Sequence, residues 1–284
     1  TRYMVFGSSS TWWENMAPNY LRSKGWNVIK PKEFIYEKSY GFQPINHRTE
    51  TEVLELKYRL SKSSAVVEYR GAAPQDSVFY PNQGKTLIDD LLAFMSIYTG
   101  IYWHSLWKER RIDSDEYSSW LAERFSTLGR SHSDEWAGSR SQSVADFEGV
   151  LGVIPQIDPE QLALAMRWFS SSLREFEVGR PLVEAALNWV CLESQANFLG
   201  INGNKRHIVE KLIAAQGFAN VPKLGNFYKL RNDAFHDGAL SNLDEVDAQP
   251  ARTAGRFLVR AQILNLMGIP HSDFREDFTK TYLN

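Results

Sequence analysis

Cysteine is nearly missing from this sequence. Cys191 is the only one among 284 residues, so no disulfide bond can form within the chain. It stands in the mostly apolar stretch 189–192, which predicts a small buried residue on a helix rather than a reactive thiol. This use of cysteine fits a reducing compartment, and we expect a cytoplasmic protein.

Long apolar runs and an excess of positive charge are also lacking. No stretch approaches the roughly 18 to 20 apolar residues of a membrane-spanning helix, and the start of the chain has no basic segment followed by an apolar run. We therefore expect no membrane partner. Lys and Arg number 32 against 34 Asp and Glu, a net charge of −2. This balance excludes a broad basic surface that coats nucleic acid and leaves room only for a local RNA-binding site.

Aromatic residues, in contrast, are abundant. They make up 13% of the chain and include nine Trp, within a hydrophobic fraction of 43%, which is typical of a folded protein with a sizeable core. The scattered histidines show no metal-ligand spacing and there is no cysteine pair. The sequence therefore predicts neither a metal site nor a cofactor.

The first part of the chain alternates short apolar runs with turn-forming residues. We predict strands in four such runs, at residues 3–6, 26–29, 65–69 and 102–107. The last of these would return to the N-terminal sheet. Residues 50–60 fit either a short helix or a strand. Apolar residues at helical spacing after Thr86 predict a long helix that stops near Gly100.

The second part of the chain looks helical throughout. Residues 129–146, rich in Ser, Gly and Arg, are typical of an exposed loop. Asp158 followed by Pro159 is a strong helix start, so we place a domain boundary near residue 155. Apolar periodicity then predicts five helices, at about residues 158–175, 181–199, 204–216, 222–238 and 244–267.

These patterns predict an α+β protein in two parts. Residues 1–154 would form a strand-rich domain with one long helix. Residues 155–284 would form an all-α bundle of mainly antiparallel helices, because the connections are short. Gly200 stands where a left-handed helix cap is expected.

One motif near the end of the fourth predicted helix contains candidate catalytic residues. Arg231 and Asn232 are followed, after three further residues, by His236, with Leu230 before and Gly238 after. This pattern resembles the signature of the HEPN superfamily, in which an arginine and a polar residue, often Asn, precede a histidine late in a helical bundle. The resemblance is to the Apea-like HEPN domains of bacterial defence and toxin systems.

The resemblance covers about residues 155–270. The residues Ala186-Leu187 and Leu192-Glu193 look like part of the second long helix of that family. Membership would imply a metal-independent endoribonuclease that acts as a homodimer and cuts RNA at a cleft shared by two motifs. It would also imply a context of phage defence or toxin activity, with the N-terminal part sensing a trigger.

The residue types suit such a reaction. His236 would act as general acid or base, since histidine titrates near neutral pH. Arg231 would hold the charge that develops on the phosphate, and Asn232 would position the phosphate or the histidine. On a regular helix Asn232 and His236 share a face, whereas Arg231 and His236 diverge by about 140°. The helix therefore has to turn or fray at its end.

Other interpretations remain open. The same cleft would serve a catalytically silent module that binds a nucleotide, RNA or a protein partner. In a purely structural interpretation, Arg231 pairs with a nearby acid and His236 interacts with the helix dipole. Lys205, Arg206 and Lys229 are weaker candidates for contacts to the RNA backbone, and the first two also fit a solvated helix start.

Overall fold

A computed structural model of the chain describes residues 2–6, 18–30, 54, 58, 65–69, 77, 86–99, 102–113, 118–124, 159–215, 224–237 and 245–266. The chain divides into two compact units. The sheet unit comprises residues 1–75 and 103–131, and the helical unit comprises residues 76–102 and 132–284. An antiparallel sheet and a set of helices are therefore both present, as the coarse α+β prediction requires.

In the described residues, the sheet unit has five strands. They are β1 (Arg2–Phe6), β2 (Trp26–Ile29), β3 (Ala65–Tyr69), β4 (His104–Asp113) and β5 (Ser118–Arg124). Their order is β2-β3-β1-β4-β5, and all neighbours are antiparallel. The four predicted strands are confirmed, and β4 does return to β1. Strand β5 was missed because its apolar run is short, from Trp120 to Ala122, and polar residues flank it on both sides.

Apolar side chains on the central strands form the core of the sheet unit. Val66 and Val67 are fully buried, and Trp26 is nearly so. The Trp26 ring packs edge-on against Tyr69, with ring centroids 5.1 Å apart. Within the ambiguous segment 50–60, the two described residues, Leu54 and Tyr58, are helical.

Helices make up most of the described part of the chain. They are α1 (Pro18–Ser23), α2 (Leu87–Thr99), α3 (Pro159–Glu177), α4 (Pro181–Phe198), α5 (Lys205–Ala215), α6 (Leu224–Asn232) and α7 (Glu245–Leu266). The last five confirm the five helices predicted for the second part of the chain. Helix α1 was not predicted, whereas α2 was.

Helix α2 belongs to the helical unit, although the sequence analysis placed it in the N-terminal domain. It packs against α3 and α7. A specific contact secures it: Arg260 Nε of α7 donates a hydrogen bond of 2.6 Å to the carbonyl oxygen of Ile97, in the last turn of α2. That carbonyl has no partner within its own helix, so the arginine satisfies it. The predicted boundary near residue 155 lies outside the described residues.

Helix α4 is the centre of the helical unit and contacts α3, α5, α6 and α7. The turns at both of its ends are well defined. Gly179, between α3 and α4, has φ 75°, and Gly200, after α4, has φ 70°. At the second turn Gly200 N bonds to Asn197 O and Ile201 N to Ala196 O, both at 3.0 Å, which is a Schellman cap. The predicted left-handed cap at Gly200 is confirmed.

Helix α4 has a buried apolar face. Its interior residues include Ala185, Trp189 and Leu192. Cys191 is buried as predicted, and burial raises the pKa of its thiol above the ordinary range. The same helix also buries polar side chains that the apolar pattern did not reveal, namely Glu184, Asn188 and Gln195.

Candidate functional site

Helix α6 carries the predicted motif and is held in the helical unit by its apolar face. Leu224, Phe227 and Leu230 are buried. The Phe227 ring packs edge-on against Trp189 of α4, with centroids 5.1 Å apart. Gly255 of α7 also meets this ring so closely that a Cβ added there would lie 2.5 Å from two ring atoms. The helix that bears the motif is therefore tightly packed against both α4 and α7.

The end of α6 widens instead of fraying. Residues Asp233–Asp237 form a π-helical turn. In such a turn the hydrogen bonds span five residues, so residues five apart approach one full turn. Residues five apart in a π turn therefore diverge less than the 140° that we calculated for a regular α-helix, and this turn covers the second part of the stretch from Arg231 to His236. The backbone of His236 lies in this turn, and its side chain lies outside the described residues.

Arg231 is buried, with 6% of its surface exposed. Its Nη1 donates a hydrogen bond of 3.0 Å to Oδ1 of Asn232. Its Nη2 lies 3.9 Å from Oε1 of Glu193 on α4, and its guanidinium carbon lies 4.8 Å from the centroid of the Phe235 ring. An amide, a carboxylate and an aromatic ring therefore surround the cation, which offsets the cost of removing it from water.

Glu193 was not among the residues predicted for the site. Its side chain is 15% exposed. Its Oε1 accepts a hydrogen bond of 2.7 Å from Trp189 Nε1, one turn earlier on α4. The same oxygen is the one that faces Arg231. The available signal in the sequence was an acidic residue beside Trp189 and Leu192 on a helix face that is otherwise apolar.

Among the described side chains at the site, two buried polar atoms have no hydrogen-bond partner, namely Arg231 Nε and Asp233 Oδ2. Each such atom costs about 1–3 kcal/mol if it stays unsatisfied. The structural interpretation expected Arg231 to pair with Asp233, Asp237 or a nearby Glu. The acid that Arg231 approaches among the described side chains is Glu193, from another helix. Within the described residues, Arg231 Nε is thus a buried donor without a hydrogen-bond partner.

The weaker candidates for RNA contacts are all exposed. Lys229 lies on α6, two residues before Arg231. Lys205 and Arg206 open α5, where Arg206 Nε bonds to Glu210 Oε1 at 2.7 Å. Their arrangement matches the solvated helix start that we weighed as an alternative.

A second buried polar group lies nearer the start of α4. Arg256 Nε of α7 is 2.8 Å from Glu184 Oε1, without the angle of a hydrogen bond. Burial raises the pKa of Glu184 from 4.5 to about 7, and the opposing attraction of Arg256 and Arg252 is smaller. Asn188, one turn along, is buried with neither side-chain polar atom bonded. This group belongs to the interior between α4 and α7 and not to the motif.

The described residues include no group of three or more His, Cys, Asp or Glu side chains that could hold a metal ion. Nor is any helix in the described ranges long and apolar enough to cross a membrane. What the end of α6 brings together is a cation, an amide and a carboxylate beside a π turn. The chain matches no protein-family model, no curated protein and no solved structure.

Proposed function

We propose that this protein is a metal-independent endoribonuclease of the HEPN type. The observation that carries the proposal is the placement of Arg231 and Asn232 at the end of α6, directly before the π turn that contains the backbone of His236. This is the order of residues in the HEPN signature, on a helix packed into a helical unit. π turns occur often at functional sites.

In the proposed reaction the 2′-oxygen of RNA attacks the adjacent phosphorus, and the bond from phosphorus to the 5′-oxygen breaks. A base takes the proton of the 2′-hydroxyl and an acid protonates the leaving oxygen, which yields a 2′,3′-cyclic phosphate and a 5′-hydroxyl. His236 fills one of these two roles. Arg231 stabilises the charge on the phosphate, and Asn232, which accepts a hydrogen bond from Arg231, sets the direction of the guanidinium.

The assembly and setting of the enzyme are part of the same proposal. Two copies would pair through the helical unit and place two motifs in one cleft, so that a second histidine supplies the other proton-transfer step. The protein would act in the cytoplasm, in a defence or toxin system, with the sheet unit as sensor. These elements come from the HEPN resemblance.

A second candidate function is a silent HEPN module that binds a nucleotide, RNA or a protein partner. The burial of Arg231 favours it, because 6% exposure leaves little of the guanidinium accessible to a phosphate. The two functions differ in turnover: the silent module binds its ligand without changing it.

The test is an RNA-cleavage assay with EDTA present. We expect the wild type to cleave, with products ending in 2′,3′-cyclic phosphate, and His236→Ala to lose cleavage at unchanged helical circular dichroism. His132→Ala, which removes an imidazole outside the motif, is the control and should cleave normally. Cleavage that survives both His236→Ala and Arg231→Ala would refute the proposal, and binding without turnover would favour the silent module.

A further inference from the structure

The contacts of the Arg231 side chain determine how readily it can bind a phosphate. The hydrogen bonds of a guanidinium to oxygen are about 2.7–3.2 Å long. The Glu193 carboxylate is 3.9 Å from Nη2, so it contributes its charge without occupying a hydrogen-bonding position there. At the same time Arg231 Nε is buried and has no hydrogen-bond partner among the described residues. Arg231 therefore keeps a donor, Nε, that a phosphate could occupy. The Glu193 carboxylate, in contrast, opposes the binding of a second anion beside Arg231.

The position of Glu193 is maintained by its own helix. Trp189 Nε1 donates to Glu193 Oε1 at 2.7 Å, and the Trp189 indole is fully buried and packs against Tyr228 at a centroid distance of 4.9 Å. The carboxylate is 15% exposed, so water screens it only weakly. Glu193 is thus a fixed negative charge beside the phosphate clamp.

We propose that Glu193 is an internal counter-anion that opposes phosphate binding at Arg231 and keeps the site in a weakly binding state. The inference rests on the proposed function, since it takes the ligand to be a phosphate of the RNA backbone. A phosphate that enters the site satisfies Arg231 Nε and meets the repulsion of Glu193. Removal of that one charge, with the shape of the side chain retained, strengthens binding.

The experiment measures binding without cleavage. The probe is a fluorescein-labelled, fully 2′-O-methylated RNA, which lacks the attacking hydroxyl, and the signal is fluorescence anisotropy. Glu193→Gln keeps an amide oxygen for the Trp189 N–H and removes the charge. The matched control is Glu175→Gln: Glu175 is 17% exposed and pairs with Arg180 at 3.3 Å, far along the chain from the motif. Both substitutions change the net charge equally.

We expect Glu193→Gln to bind the probe roughly tenfold more tightly than the wild type, and Glu175→Gln to bind it unchanged. The gain should disappear when Arg231→Ala is added. Glu193→Ala, which also removes the charge, should show the same gain, so the test does not depend on the folding of one variant.

Equal or weaker binding by the Glu193 variants would overturn the inference, as would a gain that persists without Arg231 or an absence of binding by every protein. The proposed function has its own test. Cleavage by the wild type together with no gain in Glu193→Gln would refute the counter-anion alone. Tighter binding of the probe by the Glu193 variants, without cleavage of RNA by the wild type, would refute the ribonuclease function and leave a phosphate-binding module.

Discussion

Replacement of Gly255 by alanine should destabilise the helical unit, although alanine is the better helix former. Gly255 lies within α7, and a Cβ at this position would meet two atoms of the Phe227 ring at 2.5 Å and a third at 2.9 Å. The ring is fully buried and stands 5.1 Å from Trp189, so it has little space in which to move. α6 and α7 must therefore separate, or the ring must leave its preferred rotamer.

Two effects of opposite sign determine how much Gly255→Ala changes the free energy of unfolding. Alanine in a helix interior is favoured over glycine by about 1 kcal/mol. Overpacking of a well-packed core costs typically about 1–3 kcal/mol. Because the added Cβ would collide with a fully buried ring, the cost should exceed the gain, and the net loss should reach up to about 2 kcal/mol. Gly225, in the first turn of α6, has nothing within 4 Å of an added Cβ, so Gly225→Ala is a control without the collision.

Urea unfolding followed by helical circular dichroism would measure both variants. Gly225→Ala should equal or exceed the wild type in unfolding free energy, and Gly255→Ala should fall below it. Phe227→Leu combined with Gly255→Ala should lose less than the sum of the two single changes, since the smaller side chain relieves the collision. A Gly255→Ala variant as stable as the wild type would refute this account of the packing of α6.

Two further predictions concern Glu184 and Arg231. Because the pKa of Glu184 is about 7 in the folded protein against 4.5 ordinarily, the folded state holds this proton more tightly, and stability should fall as pH rises from 4.5 to 7. The decline in the free energy of unfolding should be on the order of 3 kcal/mol, and urea unfolding at several pH values should show that Glu184→Gln lacks it. The same dependence of unfolding free energy on pH in the wild type and the variant would contradict the argument. Arg231→Lys keeps the charge but not the planar fork that bonds Asn232. RNA cleavage should fall roughly a hundredfold at unchanged circular dichroism, and a near-normal rate would show that charge alone suffices.

Much of the local structure could be predicted from the sequence. Helices α3 and α4 could be predicted from their apolar spacing and from the proline at the start of each. Both signals involve residues that lie within a turn or two of one another. The cap at Gly200 is equally local, since only glycine readily takes its φ of 70°. The motif at Arg231, Asn232 and His236 was found in the same way, as a short pattern near the end of a helix.

Other features depend on contacts between segments that are distant in sequence. Helix α2 has an ordinary helical pattern, and its place in the helical unit follows from packing and from the bond between Arg260 and Ile97. Strand β5 has no alternation of its own and exists through its pairing with β4. No local pattern reports such pairings, because their stabilisation comes from a partner elsewhere in the chain.

The candidate site also combines features that are visible in the sequence with contacts that only the tertiary structure creates. The order of Arg231, Asn232 and His236 along one helix is visible in the sequence. The ion pair with Glu193 exists because α4 and α6 pack through Trp189 and Phe227, which brings residues of two helices within 3.9 Å. Periodicity and capping act over one or two turns of backbone, whereas the electrostatic environment of a buried cation is the sum of every element packed around it.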